Sequence, residues 1–201
     1  MSKKPQTTSQ KERFLKVALR LFAKNGYAAT STRQICDEVG LAHSAMYNYF
    51  PSKEAILMAI EEREMLTMQA GLDAILSANP GSGNREKVFI AMHYSARIAT
   101  DSNAAWRLMA DMLRSLRPKN RAEVVRRRDH YEGVLRDLIK DYLISRNIDP
   151  QNADLMAKYF FGTCEGISGW FRPGGARTAE EIAQDVSEFF LTALDAGRSL
   201  E

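Results

Sequence analysis

The chain has 201 residues, of which 45% are hydrophobic and 26% are charged, so it can bury the core of one or two ordinary domains. No apolar run approaches the ~20 residues that a membrane-spanning helix needs, and no apolar stretch follows the basic N-terminus as in a secretory signal. The two cysteines, Cys36 and Cys164, form neither a CxxC motif nor a metal-binding spacing, which favours a protein of the reducing cytoplasm.

Charge is distributed unevenly along the chain. Residues 1–60 carry nine Lys or Arg against four acids, whereas the rest carries 19 basic and 21 acidic residues. A basic N-terminal part on a slightly acidic body is typical of a protein that binds nucleic acid at one end.

An amphipathic helix is predicted after a flexible tail of residues 1–9. Its apolar positions recur at i, i+3, i+4, i+7 and i+8 on one stripe, namely at Phe14, Val17, Ala18, Leu21 and Phe22. Asn25-Gly26 then ends this helix, because glycine accepts the left-handed conformation at little cost.

A helix-turn-helix is predicted next. Ser31 and Gln34 have the spacing of a capping box and open a second, short helix that Gly40 ends. A third helix is expected from about residue 42 to residue 49, after which Pro51 forces its predecessor out of helical geometry. Two short helices joined by a glycine-containing turn are the elements of a DNA-binding helix-turn-helix.

The third helix has an outer face suited to base recognition. At 100° per residue, Met46, Phe50 and Ala42 point inward, while Ser44 and Asn48 point to the opposite side. That face is small and polar, so it can approach base edges in the major groove, where Asn pairs with adenine and Ser bonds to any base.

Two further side chains could hold the DNA backbone. The hydroxyl of Tyr47 can reach a phosphate, and Lys53 adds a positive charge at the start of the next helix, where the helix dipole also attracts phosphate. The alternative is that Tyr47 and Tyr49 only pack, as aromatic residues at helical spacing commonly do.

The segment GYAATSTRQICDEVGLAHSAMYNYFPSKEAIL closely resembles the DNA-binding domain of the TetR/AcrR family of bacterial transcriptional regulators. The resemblance covers about residues 10–60 and implies a nine-helix, all-α homodimer with a helix-turn-helix domain over 10–60. The body, residues 61–201, would bind a small ligand and form the dimer. The candidate DNA contacts that follow are Thr32, Arg33, Ala42, His43, Ser44, Ala45, Tyr47, Asn48, Tyr49 and Lys53.

Two positions depart from the family pattern. Ala42 stands where the family often has a Ser or Thr that caps the recognition helix, a loss of ~1 kcal/mol. Ser44 stands where a glycine or similarly small residue is common. Neither departure argues against the fold, but both leave the operator sequence unpredictable.

The body also reads as helical throughout. A long helix is predicted over 53–76, followed by an Asn-Pro-Gly-Ser-Gly break. Further helices are expected over 84–101, 104–115, 120–146, 151–170 and 178–197. No strand-like alternation of useful length occurs, so the sequence predicts an all-α fold.

Methionine and aromatic residues fall mostly on the inner faces of these helices, which suits a pocket for irregular apolar ligands, although plain core packing is the alternative. Near the end of the chain, Trp170 could stack on a flat ring and Arg172 could pair with an anion. The candidate ligand-binding residues are Met65, Met68, Phe89, Met92, His93, Trp106, Met109, Phe161, Trp170 and Arg172.

Three glycines share one face of the helix predicted over 151–170. Each costs up to ~1 kcal/mol relative to alanine, which the close approach of another helix or a ligand would offset. A two-fold dimer seam formed with the helix over 178–197 would involve Tyr159, Gly162, Gly166, Gly169, Phe189 and Phe190.

The segment GWFRPGGARTAEEIAQ looks like the C-terminal part of TetR-type regulators of fatty-acid or steroid breakdown, which implies an acyl-CoA thioester as effector. Four arginines form a late basic run that is either a solvated, ion-paired face or the site for phosphates of a CoA-type ligand. These are Arg121, Arg126, Arg127 and Arg128.

We find no HExxH, GxSxG or phosphate-cradling motif and no catalytic constellation, so the sequence predicts neither an enzyme nor a metal or cofactor site. The favoured function is a homodimeric repressor that a small apolar effector releases from a palindromic double-stranded DNA operator. The alternatives are an activator, a constitutive architectural DNA binder, and a helical ligand-binding or catalytic protein without a DNA role.

Overall fold

The structure is a computed structural model that describes residues 9–101, 105–106, 108 and 112–197. Its regular elements in these ranges are all helical, which confirms the all-α prediction. One 3-10 turn, Pro150–Asn152, precedes α7. The helices are α1 (Gln10–Asn25), α2 (Thr32–Val39), α3 (His43–Met46), α4 (Lys53–Ala78), α5 (Asn84–Asp101), α6 (Pro118–Ser145), α7 (Ala153–Trp170) and α8 (Ala179–Asp195).

Most helix boundaries lie within two residues of those predicted. Of the helix expected over 104–115, residues 105, 106, 108 and 112 are helical, whereas residues 113–115 form a turn. Residues 104, 107 and 109–111 lie outside the described ranges. Residues 1–8 of the predicted tail also lie outside them.

The first three helices form a small N-terminal head around aromatic residues. Phe14 is fully buried, and its ring centroid lies 6.1 Å from that of Phe50 in an edge-on arrangement. Gly26 ends α1 with a positive φ of 85°. The predicted capping box at Ser31 and Gln34 is present, which confirms that the sequence itself specifies the start of α2.

The long helix α4 leaves the head and enters the body. In the body, α5 packs on α8 and α6 packs on α7, with α4 lying against α5 and α6. Met92 and Phe160 are fully buried in this core, and the hydroxyl groups of Ser95 and Tyr131 are bonded at 2.9 Å inside it. No helix among the described residues is both long and apolar enough to cross a bilayer.

Candidate functional site

The third helix is shorter than predicted. It spans only His43–Met46, and residues 48–50 continue as a tight turn bonded to the carbonyl groups of Ala45 and Met46. Ala42 precedes the helix with an extended backbone (ψ 143°) and no side-chain cap, so it is exposed instead of pointing inward as the helical projection predicted. Met46 and Phe50 are buried as expected.

The predicted base-reading residues lie on one exposed surface of the head. Ser44 and Asn48 are exposed, and Tyr47 keeps 54% of its surface accessible. Arg33 on α2 is also exposed, Ala45 is half-buried, and Tyr49 is 41% exposed beside the ring of Phe14 at 5.6 Å.

Side-chain contacts brace this surface. Thr32 Oγ1 lies 2.9 Å from His43 Nε2, which ties the first turn of α2 to the first turn of α3. The rings of His43 and Tyr47 then meet edge-on with centroids 5.3 Å apart. These contacts hold Tyr47 in place directly after the last residue of α3.

Lys53 has a different environment from the one expected. Its Nζ donates hydrogen bonds to the carbonyl groups of Tyr27 (2.8 Å), Thr30 (2.9 Å) and Ala28 (3.4 Å) and lies 4.3 Å from the centroid of the Tyr27 ring. Burial lowers its pKa. An ammonium group has three donors, so the turn between α1 and α2 uses them all. Phosphate contact by Lys53 therefore stays a prediction.

The body contains a cavity of about 210 Å³ between α4, α6 and α7. Apolar and charged side chains share its wall, so it suits an amphipathic ligand. Burial raises the pKa of Glu132 and lowers that of Arg128. The lining residues are Met65, Met68, Trp106, Arg128, Tyr131, Glu132, Lys158, Phe161, Gly162 and Glu165.

Four of the predicted ligand residues line this cavity, namely Met65, Met68, Trp106 and Phe161. Four further lining residues were not predicted from the sequence, namely Tyr131, Glu132, Lys158 and Glu165. The sequence shows that Lys158, Phe161 and Glu165 share one face of α7, but a charged residue on that face does not by itself distinguish a cavity wall from a solvent-exposed surface.

The other predicted ligand residues lie elsewhere. Phe89 borders a separate groove, and Met92 is core. His93 stacks on Phe89 and faces Glu180 with Nε2 and Oε1 3.0 Å apart.

Trp170 and Arg172 are also outside the cavity. Trp170 is 57% exposed, and the guanidinium group of Arg172 bonds to the carbonyl groups of Gly169 and Phe171. Met109 lies outside the described residues.

The four arginines of the late basic run have different environments, so neither a solvated, ion-paired face nor a ligand site describes all of them. Arg126 is exposed and pairs with Glu123 at 2.7 Å, as in a solvated face. Arg128 lines the cavity, while Arg127 bonds the buried carboxylate of Glu61 on α4, and Arg121 is exposed.

The predicted dimer residues fall into two groups. Gly162, Gly166 and Gly169 are exposed, and a Cβ added to any of them meets no described atom within 4 Å apart from its own helix backbone and chain neighbours. Tyr159 and Phe189 are also exposed (51% and 71%). Phe190 instead is buried against Phe160, so it belongs to the core of the single chain.

Among the described residues, no group of three or more His, Cys, Asp or Glu side chains is arranged to hold a metal ion.

The molecule combines a helix-turn-helix head, a long connecting helix and a helical body with an amphipathic cavity. These features define the class of ligand-responsive DNA-binding regulators.

Comparison with known proteins identifies the family within that class. Residues 14–60 match the family described as bacterial regulatory proteins, tetR family, and residues 81–194 match the tetracyclin repressor-like C-terminal domain. The chain therefore belongs to the TetR family of transcriptional regulators.

The chain also resembles full-length proteins in sequence and in fold. The transcriptional repressor KstR2 of Rhodococcus jostii is 24% identical over 192 residues, which cover 93% of this chain and 92% of that protein. A tetR-family regulatory protein from Rhodococcus RHA1 superposes with a TM-score of 0.83 at 24% identity, over 94% of this chain and 98% of that one. The regulator AibR, in complex with isovaleryl coenzyme A and operator DNA, has a TM-score of 0.71 at 24% identity, over 90% and 97% of the two chains.

Proposed function

We propose that this TetR-family regulator is a homodimeric repressor that an acyl-CoA thioester releases from its operator. The observation that carries the proposal is the amphipathic cavity, because its wall includes α4, whose other end lies in the DNA-binding head. The likeness to the repressor KstR2 and to AibR, solved with isovaleryl coenzyme A and operator DNA, supports both halves of the proposal.

DNA binding would use the exposed surface of α3 and the turn after it. Ser44 and Asn48 would read base edges in the major groove, and Tyr47 would bond to a phosphate. The two heads of a dimer would contact half-sites about one helical turn apart, or a multiple of that distance. The exposed glycine face of α7, with Tyr159 and Phe189, is the surface that a second chain would cover.

The cavity would take the acyl group of the effector. At about 210 Å³ it holds only part of a CoA thioester, so the nucleotide would lie outside it. Arg128 and Lys158 supply positive charge at this wall for the anionic part of the ligand. Repression would be relieved because a bound effector favours a head spacing different from the one that fits the operator.

The test is a thermal-shift screen of the purified protein against free fatty acids, steroid acids and their CoA esters. A ligand at 100 times its Kd adds ~2.7 kcal/mol to the free energy of unfolding, which raises the melting temperature. We expect CoA esters to raise the melting temperature selectively. This rise should be smaller for the Arg128→Gln variant than for the control variant Arg126→Gln, because the Arg126 side chain is 71% exposed. A folded dimer that no thioester stabilises would contradict this ligand class.

A further inference from the structure

Both carboxylate oxygens of Glu54, in the first turn of α4, accept hydrogen bonds from residues at the start of α6. Its Oε1 accepts hydrogen bonds from the backbone N–H of Arg117 (3.0 Å) and from Nδ2 of Asn120 (2.8 Å), and its Oε2 accepts one from Nε of Arg117 (2.6 Å). Only 13% of the Glu54 side chain is exposed, whereas that of Arg117 is 74% exposed.

These bonds supply a cap that α6 lacks. Arg117 stands at the N-cap of α6 without a side-chain cap, and Pro118 follows at the first helical position. In a capping box, a Glu at the third helical position bonds back to the N-cap N–H. In α6 that position is Asn120, and Glu54 from another helix accepts the N-cap N–H in its place. A carboxylate at a helix N-terminus is also favoured by the helix dipole.

The neighbouring residue makes an equivalent link in the opposite direction. Lys53 is bonded to the carbonyl groups of the turn between α1 and α2, within the head. Two consecutive residues thus tie the first turn of α4 to the head on one side and to α6 in the body on the other. Further along, α6 contributes Arg128 and Tyr131 to the cavity wall.

We propose that Glu54 is a positioning residue that fixes the DNA-binding head on the body by capping α6, and that the effector alters DNA binding through this link. The second half of the statement rests on the proposed function. The first half rests only on the contacts of Glu54 and can be tested without effector or DNA.

The first experiment measures hydrogen exchange of the amides at the start of α6. Glu54→Ala removes all three bonds. In Glu54→Gln, the side-chain oxygen can still accept the two hydrogen bonds that Oε1 accepts. The third bond is lost, because the amide NH₂ group faces the Arg117 guanidinium group and both are donors. The rate of amide hydrogen exchange over residues 117–121 should therefore be lowest in the wild type, higher in Glu54→Gln and highest in Glu54→Ala. The control is Glu62→Gln, an exposed Glu on the same helix, which should exchange like the wild type. Unchanged exchange in both Glu54 variants would overturn the proposal, and the Gln variant keeps the test valid if the Ala variant fails to fold.

The second experiment measures coupling in the full dimer. The quantity is the ratio of operator Kd with and without the CoA thioester found in the thermal-shift screen, which typically spans about 5- to 150-fold in allosteric proteins. Glu54→Ala should bring this ratio close to one while the thioester still raises its melting temperature, and Glu62→Gln should keep the wild-type ratio. A wild-type ratio retained in both Glu54 variants would refute the positioning role in regulation. If the wild-type protein binds no operator, or does not respond to the thioester, the proposed function is refuted. The hydrogen-exchange result would still show whether Glu54 caps α6.

Discussion

At the scale of single residues, Lys53 shows how the structure changes the meaning of a motif. Sequence position marks it as a phosphate contact, yet its ammonium group bonds carbonyl groups 23 to 26 residues away. No local pattern reveals such a contact, because it depends on how α4 meets the turn between α1 and α2. The capping box at Ser31 was predictable because all of its partners lie within four residues.

The two roles of Lys53 predict different results for Lys53→Met, which keeps the apolar stem and removes the charge. If the amine supports the turn, the free energy of unfolding without DNA should fall by about 1–2 kcal/mol. Denaturant unfolding measures this change, with exposed Lys24→Met as control. If the amine also reaches phosphates, the salt slope of DNA binding should fall by up to ~2 per dimer. If the Lys53→Met variant unfolds at the same denaturant concentration as the wild type, the Lys53 amine does not stabilise the turn between α1 and α2.

At the scale of helices, Asp195 at the end of α8 joins three elements. It accepts hydrogen bonds from Arg85 at the start of α5 (2.7 Å to Oδ2), from Arg146 after α6 (3.3 Å to Oδ1) and from the hydroxyl of Tyr142. These donors, Arg85 foremost, lower the pKa of Asp195. A carboxylate with a lowered pKa stabilises the fold above its unfolded pKa of about 3.9, and the contribution is lost as pH falls through the folded value.

We therefore expect Asp195→Asn to lower the free energy of unfolding by about 1 kcal/mol near neutral pH, a moderate value because the pair is partly solvated. The difference from the wild type should shrink as pH falls below about 4. Urea unfolding at a series of pH values measures this trend. Asp137→Asn is the matched control, because its carboxylate is 71% exposed beside Arg136. A deficit that does not depend on pH would show that packing, and not charge, is responsible.

Helix faces also explain which part of the cavity the sequence could predict. Met65 and Met68 lie on the apolar face of α4, so periodicity alone placed them inward. Glu132 and Lys158 could not be placed in this way, because a charged residue on an amphipathic helix is assigned to solvent unless its tertiary neighbours are known. The third helix ends three residues earlier than predicted, because residues 48–50 form a turn bonded to the carbonyl groups of Ala45 and Met46.

At the scale of the whole molecule, head and body are joined by α4 and by the links that its first turn makes. The glycines of α7 and the side chain of Phe189 are exposed in the single chain, which is consistent with the proposed homodimer. The proposed dimer would present two copies of α3, and its symmetry would set the symmetry of the operator.

The most direct measurement is selection of duplexes from a random-sequence pool by the purified protein at about physiological salt, where non-specific binding is weak. We predict enrichment of an inverted repeat whose half-sites lie about one helical turn, or a multiple of it, apart. The Asn48→Ala variant should lose ~1–3 kcal/mol of preference at one base pair per half-site and keep its affinity for phosphates. Absence of any enriched sequence, or an Asn48→Ala variant with unchanged base preference at every position, would contradict the account of this surface as the DNA reader.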